Sequence, residues 1–249
     1  MAAGEGGLDD IVIREIVTAD ENEEAFIVQG EVWGFSEADR VPSRLFAVNR
    51  LIGGVALGAF LQDRMIGFCL AFPGKKSDGR PYLHSHMAGV LPEYQNRRIG
   101  RRLKLEQREE ALRRGYGLIE WTFDPLETRN GFFNIERLGA IVRRYKPNAY
   151  GITTSRLHGS IPTDRLIAEW HLADARPNSI IDAGRPVGKR VVREIEIPAE
   201  AGRLRTSDPE RAIEIQTRVR EQFQQAFEEG LTVVGFRRAE SGGFYELSA

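Results

Sequence analysis

The sequence predicts an α/β fold in which one mixed, mostly antiparallel sheet is flanked by helices and followed by a C-terminal extension. Strand-like runs rich in β-branched residues alternate with stretches of helical periodicity from Ile11 to Tyr145, the pattern of an α/β layer. Two of those runs, Val55 to Leu61 and Arg64 to Phe72, are separated only by Gln62-Asp63, which reads as a hairpin. At 249 residues, 41% of them apolar, the chain can bury a full core. The expected division is a disordered N-terminus at 1–8, a core domain at 9–150, and an extension at 151–249 that contributes strands, a helix and a terminal hairpin.

Element by element, Ile11 to Val17 reads as the first strand. Ala25, Val28 and Val32 recur at helical spacing behind Asp20, predicting a helix to about Trp33. A second helix is expected from Pro42, with Leu45, Val48 and Ile52 on one side and Gly53-Gly54 as its stop. After the hairpin come a loop from Pro73 to Pro81, a strand from Tyr82 to Leu91, and a helix over 97–114 ending at Gly115. Leu118 to Phe123 is the next strand, and Glu127 to Leu138 a helix stopped by Gly139. Ile141 to Tyr145, Arg165 to Leu172 and Val191 to Ile197 are further strands, the last inside a stretch at 173–206 rich in Pro, Gly and Arg. Ser207-Asp208-Pro209-Glu210 has a capping-box spacing before Ala212, Ile215, Val219, Phe223 and Ala226. Thr232 to Phe236 and Phe244 to Leu247 then form a terminal hairpin.

A formal charge of −1 argues against a general polyanion binder, which carries a basic excess. No apolar run approaches the ~20 residues that cross a bilayer, and the first residues lack the features of a leader. A cytoplasmic protein is expected, with no membrane and no nucleic-acid partner. Cys69, the single cysteine, lies in an apolar run and reads as a buried core thiol. His84, His86, His158 and His171 do not make a convincing zinc set, so no metal is expected. The segment Arg137 to Tyr145 could stack on RNA, but a basic rim around an anionic ligand fits it better.

The most informative segment is Val90-Leu91-Pro92-Glu93-Tyr94-Gln95-Asn96-Arg97-Arg98-Ile99-Gly100-Arg101, where a strand ends at a proline and a turn feeds a helix. A helix start has unpartnered N–H groups and a positive dipole end, so it stabilises a phosphate. Arg97, Arg98, Arg101, Arg102 and Lys104 crowd the same turns. Cations there oppose the dipole by ~0.3–1 kcal/mol each, which makes sense if an anion making bonds worth ~1.5–3 kcal/mol occupies the site. The alternative is a solvated face on which these arginines pair with Glu93, Glu106, Glu109 and Glu110. Gly100 allows close approach of a ligand to backbone and favours the anion site.

The run resembles the acyl-CoA-binding motif of the GNAT superfamily of N-acetyltransferases: Gln or Arg, two residues, Gly, any residue, then Gly or Ala. Gln95 matches its first position and Gly100 its last, while Arg98 stands where the first glycine is usual. The order of elements over 11–145 is similar to the family's, and Asn130 to Gly139, following Trp121 to Asp124, resembles its second signature. The terminal hairpin could supply the family's last two strands. The resemblance implies acetyl-CoA or another acyl-CoA as cosubstrate, with Gln95, Asn96, Arg97, Arg98, Ile99, Gly100 and Arg101 around the diphosphate. It further implies backbone pairing of Val90 and Leu91 with the pantetheine arm, a hydrogen bond from Asn130 to that arm, and Phe133 among the cofactor-binding residues.

Transfer from thioester to amine needs a positioned acyl carbon, a route for the ammonium proton, and donors to the developing oxyanion. The resemblance implies direct attack in a ternary complex, with N–H groups near Val90 polarising the carbonyl. Many relatives place an acidic Tyr where this chain has Ile135, and Tyr145 is the nearest phenol in sequence. A thiol leaves with little help, since its pKa is near 8.5. His84 and His86, two apart on one strand, are candidate bases, and Glu120 is a further one for which a salt bridge is the plainer role. The expected activity is N-acylation of a small-molecule amine such as an amino acid, its carboxylate paired with Arg143 or Arg156. The rival is a noncatalytic CoA-sensing or regulatory interaction module, and a homodimer is compatible with either.

Overall fold

The computed structural model describes residues 10–151, 161–184 and 190–249. The expected disordered start at 1–8, Arg156 and His158 lie outside the described residues. The chain falls into two compact units, Met1–Ile119 and Glu120–Ala249. The fold is mixed α/β, with mostly antiparallel sheet flanked by helices.

In the first unit, β1 (Ile11–Glu15), β2 (Val55–Leu61), β3 (Arg64–Lys75) and β4 (Pro81–Val90) lie in that order, each antiparallel to the next. Gln62 takes a positive φ of 55°, which closes the predicted two-residue hairpin between β2 and β3. β3 and β4 run into what reads as a loop, pairing as far as Lys75 with Pro81. α1 (Ala19–Trp33) starts on a capping box in which Thr18 and Glu21 exchange hydrogen bonds, worth about 1 kcal/mol. Its Ala25 and Val28 are buried as the spacing predicts.

α2 (Ser43–Leu51) forms where expected but faces the other way. Leu45, Val48 and Ile52 are 37%, 45% and 58% exposed, whereas Phe46 and Asn49 are buried. The larger ring decides the orientation, because Phe46 packs against Phe68 of β3 with ring centroids 5.8 Å apart. α3 (Ile99–Arg113) then lies on β2, β3 and β4 through Leu103, Gln107 and Ala111.

β5 (Leu118–Phe123) carries the chain into the second unit, where its Trp121 meets Trp170 edge-on. The long helix expected from 127 to 138 is instead a short α4 (Thr128–Phe132) followed by a π turn at Phe133–Arg137. β6 (Ile141–Lys146) and β7 (Arg165–His171) pair antiparallel, and β9 (Thr232–Ala239), β10 (Gly242–Ser248) and β8 (Arg193–Pro198) continue the sheet in the order β7-β6-β9-β10-β8. The terminal hairpin is thus added to the β6–β7 pair and does not replace it.

Two helices unread in the sequence, α5 (Ala175–Ala183) and α6 (Ala201–Ser207), fall in the Pro- and Gly-rich stretch. α7 (Pro209–Glu228) is capped by Asp208, whose side chain accepts from the Arg211 N–H, and not by Ser207. Ala212, Ile215, Val219, Phe223 and Ala226 are buried on one side of it, as their spacing predicts.

Candidate functional site

Where β4 ends, the Leu91 N–H donates to the Ile66 carbonyl and its C=O accepts from Tyr94, both at 2.9 Å. Leu91 therefore has no free N–H for a ligand, which corrects the pairing expected of it. After one 3₁₀ turn, Pro92–Tyr94, the Gln95 side chain folds back and its Nε2 donates to the Val90 carbonyl at 3.1 Å. Asn96 and Arg98 take left-handed φ values of 62° and 63° before α3 begins. Arg98 thus keeps the backbone that a glycine adopts easily, at a cost of about 1–2 kcal/mol for an L residue. Left-handed residues in such a turn swing successive N–H groups toward one point and form an anion-binding concavity. Among the described residues, the amides of Arg97 through Arg101 meet no protein acceptor.

The charges agree with the amides. Glu93 pairs with Arg64, Glu106 and Glu110 with Arg113, and Glu109 with Arg108, so none of the four glutamates neutralises the turn. Arg97, Arg98 and Arg101 have no carboxylate partner among the described residues. Arg97 rests over the Tyr94 ring. Two cations counted with the cradle leave it: Arg102 donates to the Ile11 carbonyl at 2.7 Å, and Lys104 is buried. The Ile99 side chain is also buried, so that residue can offer a ligand only its amide. A Cβ added at Gly100 would find its nearest neighbour, Val90 Cγ2, at 4.0 Å, which leaves the backbone approachable.

Farther back on β4, the register with β3 slips where Leu70 pairs with Met87 and Ala71 with Ser85, making His86 the extra residue of a bulge. Its ring lies 5.6 Å from Phe72 and 6.4 Å from His84, centroid to centroid. Crowding by protein, and then the charge of His84, hold His86 below the ordinary histidine value, so at neutral pH it is a free base able to take a proton.

On the opposite side of the strand, the buried Lys104 Nζ donates to Ser85 Oγ at 3.0 Å and to Gln107 Oε1 at 2.8 Å. Burial pushes its pKa down to about 7 and that of the buried Cys69 thiol up to about 12. The sequence reads Lys104 as one of the turn's cations, and its place beside Leu103 within a stripe of core residues was the available signal that it is buried instead.

In the second unit Glu120 is buried and paired with Arg144, whose Nε also donates to Glu169 at 3.3 Å. Arg143, the extra residue of a bulge in β6, pairs with Glu169 as well. Burial alone would raise Glu169, but hydrogen bonds from His171 and Arg143 and the charges of both arginines bring it to about 2. Glu120 is thus held in an ion-pair network, the plainer role expected of it. Glu169 was unread, although a carboxylate within the apolar run Leu166 to Leu172 was a visible sign.

Tyr145 is corrected too. Its hydroxyl donates to Asp164 Oδ2 at 2.6 Å, its ring stacks on Phe223 of α7, and burial followed by the Asp164 carboxylate raises its pKa above the phenol range. Ile135 is fully buried. Asn130 is exposed on α4 and Phe133 half-buried at the start of the π turn. Among the described residues, no cluster of three His, Cys, Asp or Glu could hold a metal, and no helix is long and apolar enough to cross a membrane.

The acetyltransferase (GNAT) family matches residues 18–139. No curated protein sequence matches the chain. Among solved structures, a GNAT-family acetyltransferase from Desulfovibrio desulfuricans is 19% identical, with a TM-score of 0.52 over 66% of this chain and 99% of that one. An acetyltransferase from Salmonella typhimurium, solved with acetyl-CoA, is 16% identical, with a TM-score of 0.53 over 68% of this chain and 98% of its own. The ribosomal-protein-S18-alanine N-acetyltransferase from Escherichia coli is 17% identical, with a TM-score of 0.52 over 66% and 96%.

Proposed function

Residues 18–139 make the chain a member of the acetyltransferase (GNAT) family, and from that membership we propose that it moves an acetyl or other short acyl group from coenzyme A to the amine of a small molecule such as an amino acid. The observation that carries the reading is the turn before α3, in which the amides of Arg97 through Arg101 meet no protein acceptor and Arg97, Arg98 and Arg101 have no carboxylate partner among the described residues. A diphosphate supplies the charge those groups lack. Val90, Gln95 and Asn96 flank that turn on its β4 side.

Chemically, the amine nitrogen attacks the thioester carbonyl, an N–C bond forms, and the C–S bond breaks with its electron pair going to sulfur. His86 takes the ammonium proton, directly or through one water, with His84 as its neighbour. The two tyrosine positions considered in the sequence offer no acid for the thiolate: Ile135 occupies one, and the Tyr145 hydroxyl is tied to Asp164. A thiol of pKa near 8.5 departs without that help.

The test is release of free CoA when purified protein meets several acyl-CoAs and a pool of amines. Amine-dependent release is expected. A CoA-sensing or regulatory module, the rival reading suggested by Ile135, would bind acyl-CoA and release nothing. Gly100→Trp fills the approach to the amides and is expected to weaken acetyl-CoA binding by tenfold or more, about 1.4 kcal/mol, while the melting temperature is retained. Equal affinity by calorimetry removes the cradle from the site.

A further inference from the structure

Because α2 turns Phe46 inward, it leaves an apolar stripe outside. Leu45, Val48 and Ile52 follow one another at spacings of three and four, with Leu51 beside them at 83% exposure. Four branched side chains on one short helix make a bare patch of a few hundred Å², the size at which a patch on a single chain is commonly functional. α1 lies beside α2 on the same side of the sheet, since Trp33 of α1 and Phe46 of α2 both pack on Phe68 of β3. The two helices run antiparallel. Gln29 of α1 exchanges hydrogen bonds with the backbone of Val41, just before α2, at 2.7 and 3.1 Å. At the other end, Arg50 of α2 donates to the carbonyls of Ile16 and Val17, just before α1, at 3.1 and 2.7 Å. Charge is therefore divided between the two ends of the patch. Arg44 is exposed at the start of α2, and Asp20 and Glu23 are exposed in the first turns of α1, beside the end of α2. None of these three has an ion-pair partner among the described residues.

We propose that this face is where two copies of the chain pair, with α2 packed antiparallel on the partner's α2 about a two-fold axis near Val48. A two-fold contact uses the same patch on both copies, so it forms only where the two ends of that patch complement each other. Here they do. Reversing the helix carries Arg44 to the end that holds the partner's Asp20 and the partner's Glu23, and the partner's Arg44 to the opposite end. Arg44 also arrives at the C-terminal, negative end of the partner's α2. An anionic membrane is the poorer occupant, because Asp20, Glu23 and the exposed Glu31 border the patch and repel its headgroups. Two such patches with their rims reach about the 1,200 Å² at which stable interfaces begin, which makes the dimer reversible and of micromolar strength. The pairing uses no residue of the turn before α3 and neither His84 nor His86, so it stands whether or not acyl transfer is found.

The test is sedimentation equilibrium of the full chain across micromolar concentrations. A reversible monomer–dimer equilibrium is expected of the wild type. Val48→Glu sets a charge against its own symmetry mate and is expected to raise the dissociation constant about a hundredfold or more. Val48 is exposed in the single chain, so the variant keeps its circular dichroism spectrum. Arg44→Glu raises the dissociation constant about tenfold, and Arg44→Glu combined with Glu23→Arg recovers most of that loss. Such a rescue requires the two ends of the patch to meet across the axis. A wild type that stays monomeric throughout, a dimer that survives Val48→Glu, or a charge swap that brings no rescue overturns the proposal.

Discussion

Gln95 Nε2 donates to the Val90 carbonyl across 3.1 Å, so the side chain that opens the turn before α3 is tied to the last residue of β4. That bond fixes the direction in which the following amides point. Gln95→Ala removes a hydrogen bond worth about 1 kcal/mol, and acetyl-CoA affinity is expected to fall roughly fivefold as the turn loosens. Calorimetry checks this, and an unchanged dissociation constant would free the turn from any dependence on Gln95.

His86 titrates below its ordinary value because it is crowded and sits beside His84. As a base it works when neutral, so kcat/KM is expected to rise through acidic pH and to be level, for this group, by neutrality. His86→Ala should lower turnover by about 10²-fold or more and erase the acidic limb, leaving acetyl-CoA affinity as in the wild type. A pH–rate profile of unchanged shape would take His86 out of the mechanism and leave His84 to be tested.

Lys104 makes stability depend on pH in a predictable direction. Its pKa is 10.5 in the ordinary state and about 7 when folded. Between those values the unfolded chain holds the proton and the folded chain does not, so stability rises with pH from about 7 toward 10.5, by at most ~1.4 kcal/mol per unit. Below about 7 both states are protonated and the slope vanishes. Lys104→Met should flatten this rise and be more stable than wild type at pH 7. Urea unfolding at pH 7 and pH 9 reads it, and parallel behaviour of the two proteins would contradict the assignment.

Much of the fold was legible because local signals and packing agreed. The apolar spacing of α7, the Gln62-Asp63 hairpin and the strands from β1 to β5 all carry their own periodicity. α2 misleads, since it offers two apolar sides and the choice falls to a contact between Phe46 and Phe68 that spacing cannot show. α5 and α6 lack a clear stripe and take shape from what they pack on. At the site, the strand–turn–helix passage around Gln95 and Gly100 was readable, and its backbone explains the departure at Arg98, which keeps the left-handed conformation without being glycine. Polar partners were not readable: the ion pairs of Glu169 with Arg143 and Arg144, or the hydrogen bond of Tyr145 to Asp164, form only once β6 and β7 and the residues around them are assembled.

At one end of the second unit's sheet, β8 has β10 as its single neighbour in the strand order and reads Arg-Glu-Ile-Glu-Ile-Pro. Glu194 and Glu196 are exposed, and Pro198 lacks an N–H. A foreign strand arriving there would bring carboxylates together and find a missing donor, so this rim discourages end-to-end growth into fibrils. An all-apolar strand at that border would invite aggregation, and these side chains withhold the invitation.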